Sequence, residues 1–283
     1  MISYKTCKEV TMDQVFEAFS LGYSDYVVPV KMSQEFFEAR FFGPEGNSLD
    51  LSFIAFDDEK PVGLILGGIR QFDGLKTMRC GTLCVGPDYR GQGISNKLFE
   101  MHKAAAIENN CKQMFLEVIT TNHRAVKFYE KLEYRQVYNL RYYSCMTQAL
   151  LEPLHSNPYD INSISFDAID SFRKSLNDCH INWQSDTPSY SGSSDEALLC
   201  AYDGSKQIAY VAMSPQGKVN FLWVDKAYRN MGLGAAMLQN AAAAQKVEKI
   251  NICIPSNSLL EGFVRKLKFN KEPVEQYEMY LPL

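Results

Sequence analysis

The chain is poor in the residues that build metal and nucleic-acid sites. Of its 283 residues only four are histidines, all far apart, too few and too scattered to make a zinc site by themselves. Its eight cysteines form no Cys-x-x-Cys. Cys80 and Cys84 lie four apart on one predicted strand and fit no familiar metal-ligand spacing. Reduced, mostly buried thiols in a cytoplasmic protein are therefore the expectation, with no metal. No Lys/Arg cluster is dense enough to track a phosphate backbone, and the net charge is only −4. Nucleic acid is not an expected partner. Long apolar runs are missing too. The stretch from Val62 to Ile69 is strand-length and far short of a span, so no membrane partner is expected. The opening residues, Met-Ile-Ser-Tyr-Lys-Thr-Cys-Lys-Glu-Val, carry no apolar h-region and no cleavage-site pattern. A P-loop, Gly-x-x-x-x-Gly-Lys-Ser/Thr, is absent.

What the chain does have is repetition. Its length exceeds the commonest size of one domain, and an apolar content of 46% with 22% charged residues is that of a globular protein with buried cores. Leu83 to Ile94 lays on Leu222 to Leu233 without a gap. Ala55 to Lys60 resembles Ala201 to Lys206, and both read as hairpin turns between apolar strands. Asn122 to Tyr134 matches Asn257 to Phe269, again ungapped. Three blocks in the same order identify a tandem duplication.

Each half predicts the same succession. A helix opens it, Met12 to Ser20 after Thr11, or Phe166 to Leu176 after Ser165. Strands follow, then a Gly-containing turn and an amphipathic helix, on which Ile94, Leu98, Met101 and Ala105 recur at helical spacing, as do Leu233, Met237 and Ala241. A strand (Met114 to Ile119; Lys249 to Ile254), a short helix and a last strand complete the half. Pro153 and Pro158 place a linker at residues 149–162, between domains 1–148 and 163–283. Ser185 to Ser194 reads as a surface loop.

Strand, Tyr-Arg-Gly-Gln-Gly, helix is an arrangement that holds anions. Glycines let backbone N–H groups approach phosphate oxygens at the positive end of a helix dipole. Asn96 and Met237 stand where a dinucleotide fingerprint has its third glycine. By itself the turn is also compatible with a mere helix start. Its context is specific: Arg90-Gly91-Gln92-Gly93-Ile94-Ser95 and Arg229-Asn230-Met231-Gly232-Leu233-Gly234 resemble the Arg/Gln-x-x-Gly-x-Gly/Ala signature of the GCN5-related N-acetyltransferases (GNAT). Leu116-Glu117-Val118, Asn122, Ala125 and Phe128-Tyr129-Glu130-Lys131 resemble that family's second half. Ser95 departs from the last signature position.

The resemblance implies an α/β (α+β) architecture of two tandem domains. Each would hold a mixed, largely antiparallel sheet flanked by helices, with a splayed central strand pair. It implies acetyl-CoA as cosubstrate. The Arg90, Gly91, Gln92, Gly93, Ile94 and Ser95 turn would cradle the pyrophosphate. Leu83, Cys84 and Val85 would line the pantetheine slot, with an N–H near Val85 polarising the thioester carbonyl, and Asn122 would cap the next helix and bond the pantetheine arm. Tyr129 would protonate the leaving thiolate, and Glu117 would take the proton of an incoming primary amine, which arrives charged; a salt-bridged strand glutamate and a packing aromatic are the alternatives for Glu117 and Tyr129. Tyr23 and Tyr26, in the connection after the first helix, would line the amine pocket. In the second half Ile252 and Val264 stand at the positions of Glu117 and Tyr129, and Trp223 replaces Cys84. Catalysis is therefore expected in residues 1–148 alone. The expected reaction is acetyl transfer to an amine of a small molecule or peptide. A non-catalytic acyl-CoA sensor and a transferase of another acyl group are the alternatives.

Overall fold

Local signals fix the elements of the first copy. β1 (Ile2–Thr6) leads into α1 (Met12–Gly22). Thr11 caps α1: its hydroxyl accepts from the Gln14 N–H at 3.3 Å, and the Gln14 side chain accepts from the Thr11 N–H at 3.1 Å. This reciprocal box satisfies two donors the helix cannot pair itself. Val15, Ala18, Phe19 and Gly22 are buried, a stripe at helical spacing. α2 (Gln34–Phe41), β2 (Ser48–Asp57), β3 (Lys60–Phe72) and β4 (Leu75–Val85) follow. The turn expected at Asp57 to Lys60 joins β2 and β3 as an antiparallel hairpin, with Asp58 at φ 52°. Next come α3 (Ile94–Glu108), β5 (Gln113–Ile119), α4 (His123–Lys131) and β6 (Arg135–Met146).

The second copy repeats this order with β7 (Asp160–Ser163), α5 (Phe166–Ser175), β8 (Ala197–Asp203), β9 (Lys206–Met213) and β10 (Lys218–Val224). α6 (Leu233–Gln245), β11 (Lys249–Pro255), α7 (Ser258–Lys266) and β12 (Asn270–Pro282) complete it. This is a computed structural model that describes residues 1–26, 30–150, 158–176 and 179–283. Ser185 to Ser194 is only partly the surface loop its composition predicts: Ser191 to Ser194 are exposed, but the first part is not. Ser185, Thr187 and Tyr190 are buried, and Ser189 donates to the carbonyl of the fully buried Trp183 at 2.6 Å. Side-chain hydroxyls here satisfy backbone groups that solvent would otherwise serve.

The copies exchange their last strands. One compact unit is Met1–Tyr138 with Gln276–Leu283, and the other is Asn139–Glu275. The first unit's sheet runs β1-β2-β3-β4-β5 and then the Gln276–Pro282 end of β12; the second runs β7-β8-β9-β10-β11-β6. β4/β5 and β10/β11 are the parallel pairs. The division expected at residues 149–162 is therefore corrected. Asn139 to Met146 already pairs with β11, and Asp160 to Ser163 is a strand on β8. Residues 151–157 of the expected linker lie outside the described residues. Sequence pattern sets a strand's buried face but not which neighbour it pairs with, so the exchange left no mark.

In the first unit one face of the sheet packs Met78, Cys80, Leu116 and Val118 under α3 and α4, and the other packs Ile54, Leu64 and Cys84 under α1 and α2. His102, on α3, is fully buried beside Gly67, and burial drives its imidazole down to about 4 from 6.5. The unfolded chain then binds more protons than the folded one between about pH 6.5 and 4, so stability present above pH 6.5 is lost as pH falls through that window. Lowering pH from 7 to 5 should cost about 2 kcal/mol through this group. His102→Leu should lose that much less over the same step, as read from urea midpoints at both pH values. Equal losses in the two proteins would mean the imidazole is protonated without cost.

Candidate active site

The site of the first unit begins at the turn before α3. Gly91 and Gly93 adopt φ 77° and 82°, a region that costs other L-residues about 1–2 kcal/mol. A Cβ built on either meets nothing within 4 Å. Packing does not demand these glycines; the backbone turn does, and the space beside them at the helix N-terminus is open. That is the geometry a pyrophosphate needs. The Arg90 side chain is occupied elsewhere. It donates to the Val85 carbonyl at 3.0 Å and to Asp25 at 2.5 and 2.7 Å, which holds the Asp25 carboxyl below its usual value. Arg90 therefore ties the strand end to the segment after α1, and only its backbone remains for the anion.

The slot beside it is built by a bulge. β3 pairs Leu66 with Thr82 and Gly67 with Cys80, so Gly81 is the extra residue on β4. A bulge bends its strand and breaks pairing. The parallel register with β5 ends at Cys80↔Leu116. Beyond it Leu83, Cys84 and Val85 diverge from Val118 and Ile119, leaving backbone groups for an extended ligand.

Tyr129, on α4, reaches the point of divergence. Burial raises its hydroxyl well above the usual tyrosine value, and the neighbouring Cys80 thiol adds to that. It is therefore a protonated donor at neutral pH. Burial pushes the Cys80 and Cys84 thiols up to about 12, so neither is a thiolate nucleophile. Asn122 caps α4, accepting from the Ala125 N–H at 3.2 Å, and its side chain lies close enough to the Tyr26 hydroxyl to lower it, against the burial that raises it. The Tyr23 hydroxyl lies 2.5 Å from that of Thr82, just past the bulge. Tyr23, Tyr26, Asn122, Cys80 and Tyr129 thus converge on one slot from three parts of the sequence.

Glu117 lies on the sheet face opposite Met114, Leu116 and Val118, toward α1 and α2. Its side chain is 2% exposed and pairs with Arg79 of β4 at 2.7 Å. Arg79 also approaches Glu45 at 3.5 Å, and Glu45 holds Arg40 at 2.8 Å. Sequence reading missed Arg79 and Glu45. The available signal was an arginine inside an apolar strand, since a buried guanidinium requires a carboxylate partner. On the same side a cavity of about 210 Å³ is lined by Phe16, Phe19, Tyr23, Tyr26, Val30 and Met32. Residues 27–29 lie outside the described residues.

The second unit keeps the frame without the chemistry. Asn220 is its bulge, and its parallel pairing ends at Val219↔Ile252. Gly232 keeps φ 86° and Asn230 takes φ 64°, while Asn257 still caps α7. At the positions of Gln92 and Arg124 stand Met231 and Leu259, both exposed. The Phe263 ring would lie 3.0 Å from a Cβ at Gly234. Trp223 does not stand free in the slot: its ring packs at 4.7 Å on Phe172 of α5. A larger cavity in this unit, about 450 Å³, is lined by Asp195, Glu196 and Gln245, at the opposite end of α6 from the turn.

Known proteins match both units. The Acetyltransferase (GNAT) family matches residues 12–134, and an Acetyltransferase (GNAT) domain matches residues 194–271. N-alpha-acetyltransferase 60 of Xenopus tropicalis is 25% identical over 139 residues, 48% of this chain and 50% of that protein. N-alpha-acetyltransferase 30 of Dictyostelium discoideum is 30% identical over 109 residues, 38% of this chain and 59% of that protein. The match thus spans about half the length of these relatives. Among solved structures, a tandem GNAT protein from the clavulanic acid biosynthesis pathway superposes with a TM-score of 0.69 at 13% identity, covering 100% of this chain and 98% of that one. A GCN5-related N-acetyltransferase from Sphaerobacter thermophilus does so with a TM-score of 0.69 at 12% identity, covering 100% and 95%. With a bulged, splayed strand pair and a glycine turn in each of two matched units, the chain belongs to the GNAT acetyltransferase family as a tandem member.

Proposed function

We propose that the first unit transfers an acetyl group from acetyl-CoA to a primary amine, a peptide α-amine or a small amine with an apolar neighbour. The observation that carries this reading is the position of Tyr129, a protonated donor where β4 and β5 part, beside an open glycine turn. The residues fit the cosubstrate: the open space at Gly91 and Gly93 would admit a pyrophosphate, and Leu83 to Val85, paired with β3 but not with β5, would suit an amide-bearing arm. When bound, acetyl-CoA supplies a thioester carbonyl as electrophile. Backbone N–H groups near Val85 stabilise charge developing on that oxygen. Glu117 takes the ammonium proton of the acceptor, and Tyr129 gives its proton to the departing sulfur. The aromatic cavity between α1 and α2 orients the acceptor's apolar side chain, with Tyr23 and Tyr26 on its slot side. The names of the relatives favour a peptide α-amine. A library of free-α-amine peptides and small amines, incubated with isotopically labelled acetyl-CoA and read by mass spectrometry, tests the reading. Labelling confined to amines with no apolar neighbour would refute the acceptor assignment.

The second unit shapes the protein without binding acetyl-CoA. Calorimetry should find one site per chain. Gly93→Glu, which sets a carboxylate against the pyrophosphate at an already strained φ, should abolish binding. Gly232→Glu carries the same strain in the second unit and should leave binding intact. It is the better control than Gly234→Glu, whose side chain collides with Phe263. Two sites in the parent, with Gly232→Glu losing one of them, would make the second unit a working partner.

A further inference from the structure

Glu117 has a buried carboxylate facing it. In the antiparallel pairing of β5 with β12, Glu278 stands directly opposite Glu117, between Tyr277↔Val118 and Met279↔Leu116. Residues directly opposite project from the same face with Cβ atoms about 4.5–5.5 Å apart. Alternation confirms the face. Met279 and Leu281 join Met114 and Leu116, whereas Tyr280 packs its ring 5.0 Å from Phe115. Glu278 shares the parity of Tyr280 and is fully buried. Two buried glutamates therefore stand at directly opposite positions on one sheet face, one of them the proposed base.

Charged and titratable groups face this pair from several elements. From β4, Arg79 pairs with Glu117 at 2.7 Å. From the segment after α2, Glu45 approaches Arg79 and holds Arg40. From β6, Tyr138 sits in the field of Glu278 and Asp73. From β12, Tyr280 also feels the Glu278 charge and donates to Asp73 of the β3–β4 turn at 3.0 Å. Arg79 and Glu278 act on Glu117 in opposite senses. A guanidinium at contact distance stabilises the carboxylate and weakens it as a base, whereas a like charge across the ladder strengthens it.

We propose that Glu278, delivered by the C-terminal strand, is the positioning residue that keeps Glu117 basic against the pull of Arg79. The inference rests on Glu117 as the base. In the reaction the acceptor ammonium would give one proton to Glu117, the freed nitrogen lone pair would bond to the thioester carbon, and the C–S bond would break as the sulfur takes the Tyr129 proton; the nitrogen's second proton would restore Tyr129, and Glu117 would return its proton to water. Because the two carboxyls interact, they titrate as a pair rather than singly. The last strand thereby contributes to chemistry as well as to the sheet.

Carbon-13 NMR of glutamate carboxyls in the full chain tests this without an acceptor. Glu278→Gln should lower the titration midpoint of Glu117 by about one pH unit or more, and Arg79→Met should raise it by a similar amount. Glu278→Asp, which keeps the charge, should titrate like the parent. A Glu117 midpoint that Glu278→Gln leaves in place, or raises, overturns the proposal. If Glu278→Gln does not fold, an Asp variant titrating differently from the parent overturns it instead. The base assignment has its own arm. Glu117→Gln should remove the acid limb of the kcat/KM profile with an acceptor that the peptide and amine library shows to be acetylated. Persistence of that limb would remove Glu117 from the mechanism while the carboxyl titrations stood.

Discussion

Tyr129→Phe is expected to lower kcat by about 10²- to 10⁴-fold, the usual weight of a general acid, while acetyl-CoA affinity stays within about twofold. The separation follows from the geometry. The hydroxyl lies where the slot opens beside Cys80, whereas in the proposed function cofactor affinity would reside in the backbone of the Gly91–Gly93 turn and the β5-facing edge of Leu83 to Val85. The ring is buried against Phe128 and Tyr134, and phenylalanine fills that space. The change therefore removes one proton donor and little packing. Stopped-flow rates at saturating acceptor, with calorimetric acetyl-CoA affinity, decide it. An unchanged kcat would show that water protonates the thiolate.

Much of this site was legible in the sequence because its parts are short and local. The glycine turn, the Asn122 cap and the Leu-Glu-Val strand each need only a few consecutive residues to have a defined shape. The structure places them where such shapes belong. Tyr23 and Tyr26 were legible only as aromatics in an irregular segment; their contacts with Thr82 and Asn122 depend on packing between distant elements. Glu117 shows the limit most clearly. Its strand was evident, but its neighbours were not: Arg79 lies 38 positions away, and Glu278 arrives from the far end of the chain. A pairing partner supplied by strand exchange leaves no periodic signal in either strand. Arg90 misleads in another way. It occupies the signature's first position, yet its side chain secures Asp25 and the Val85 carbonyl. Arg229 makes the same strand-end bond to Val224 at 2.9 Å, so that bond belongs to the fold and not to catalysis.

The strand exchange reverses the expectation that residues 1–148 suffice for catalysis. Without Gln276–Leu283, β5 becomes an edge, and the first unit loses the buried side chains of Met279, Tyr280 and Leu281. At roughly 1.5–3 kcal/mol each, an upper bound because unfolded chains already bury some surface, the loss reaches about 5–9 kcal/mol. Whole domains are stable by about 5–15 kcal/mol, so the fragment is expected to lack a cooperative fold and to associate through its bared strand. Fragment 1–148, and the chain ended after Glu275, should therefore show no acetyl transfer and no cooperative melting of the first unit. A synthetic peptide spanning Gln276–Leu283, added to the fragment, should restore some of each by occupying the vacant side of β5. The same peptide with Glu278→Gln should restore melting but lower the activity gained, which separates the strand's structural part from its chemical one. Full activity in fragment 1–148 alone would mean that β6 or another segment replaces the missing strand, and the exchange would then be dispensable for function.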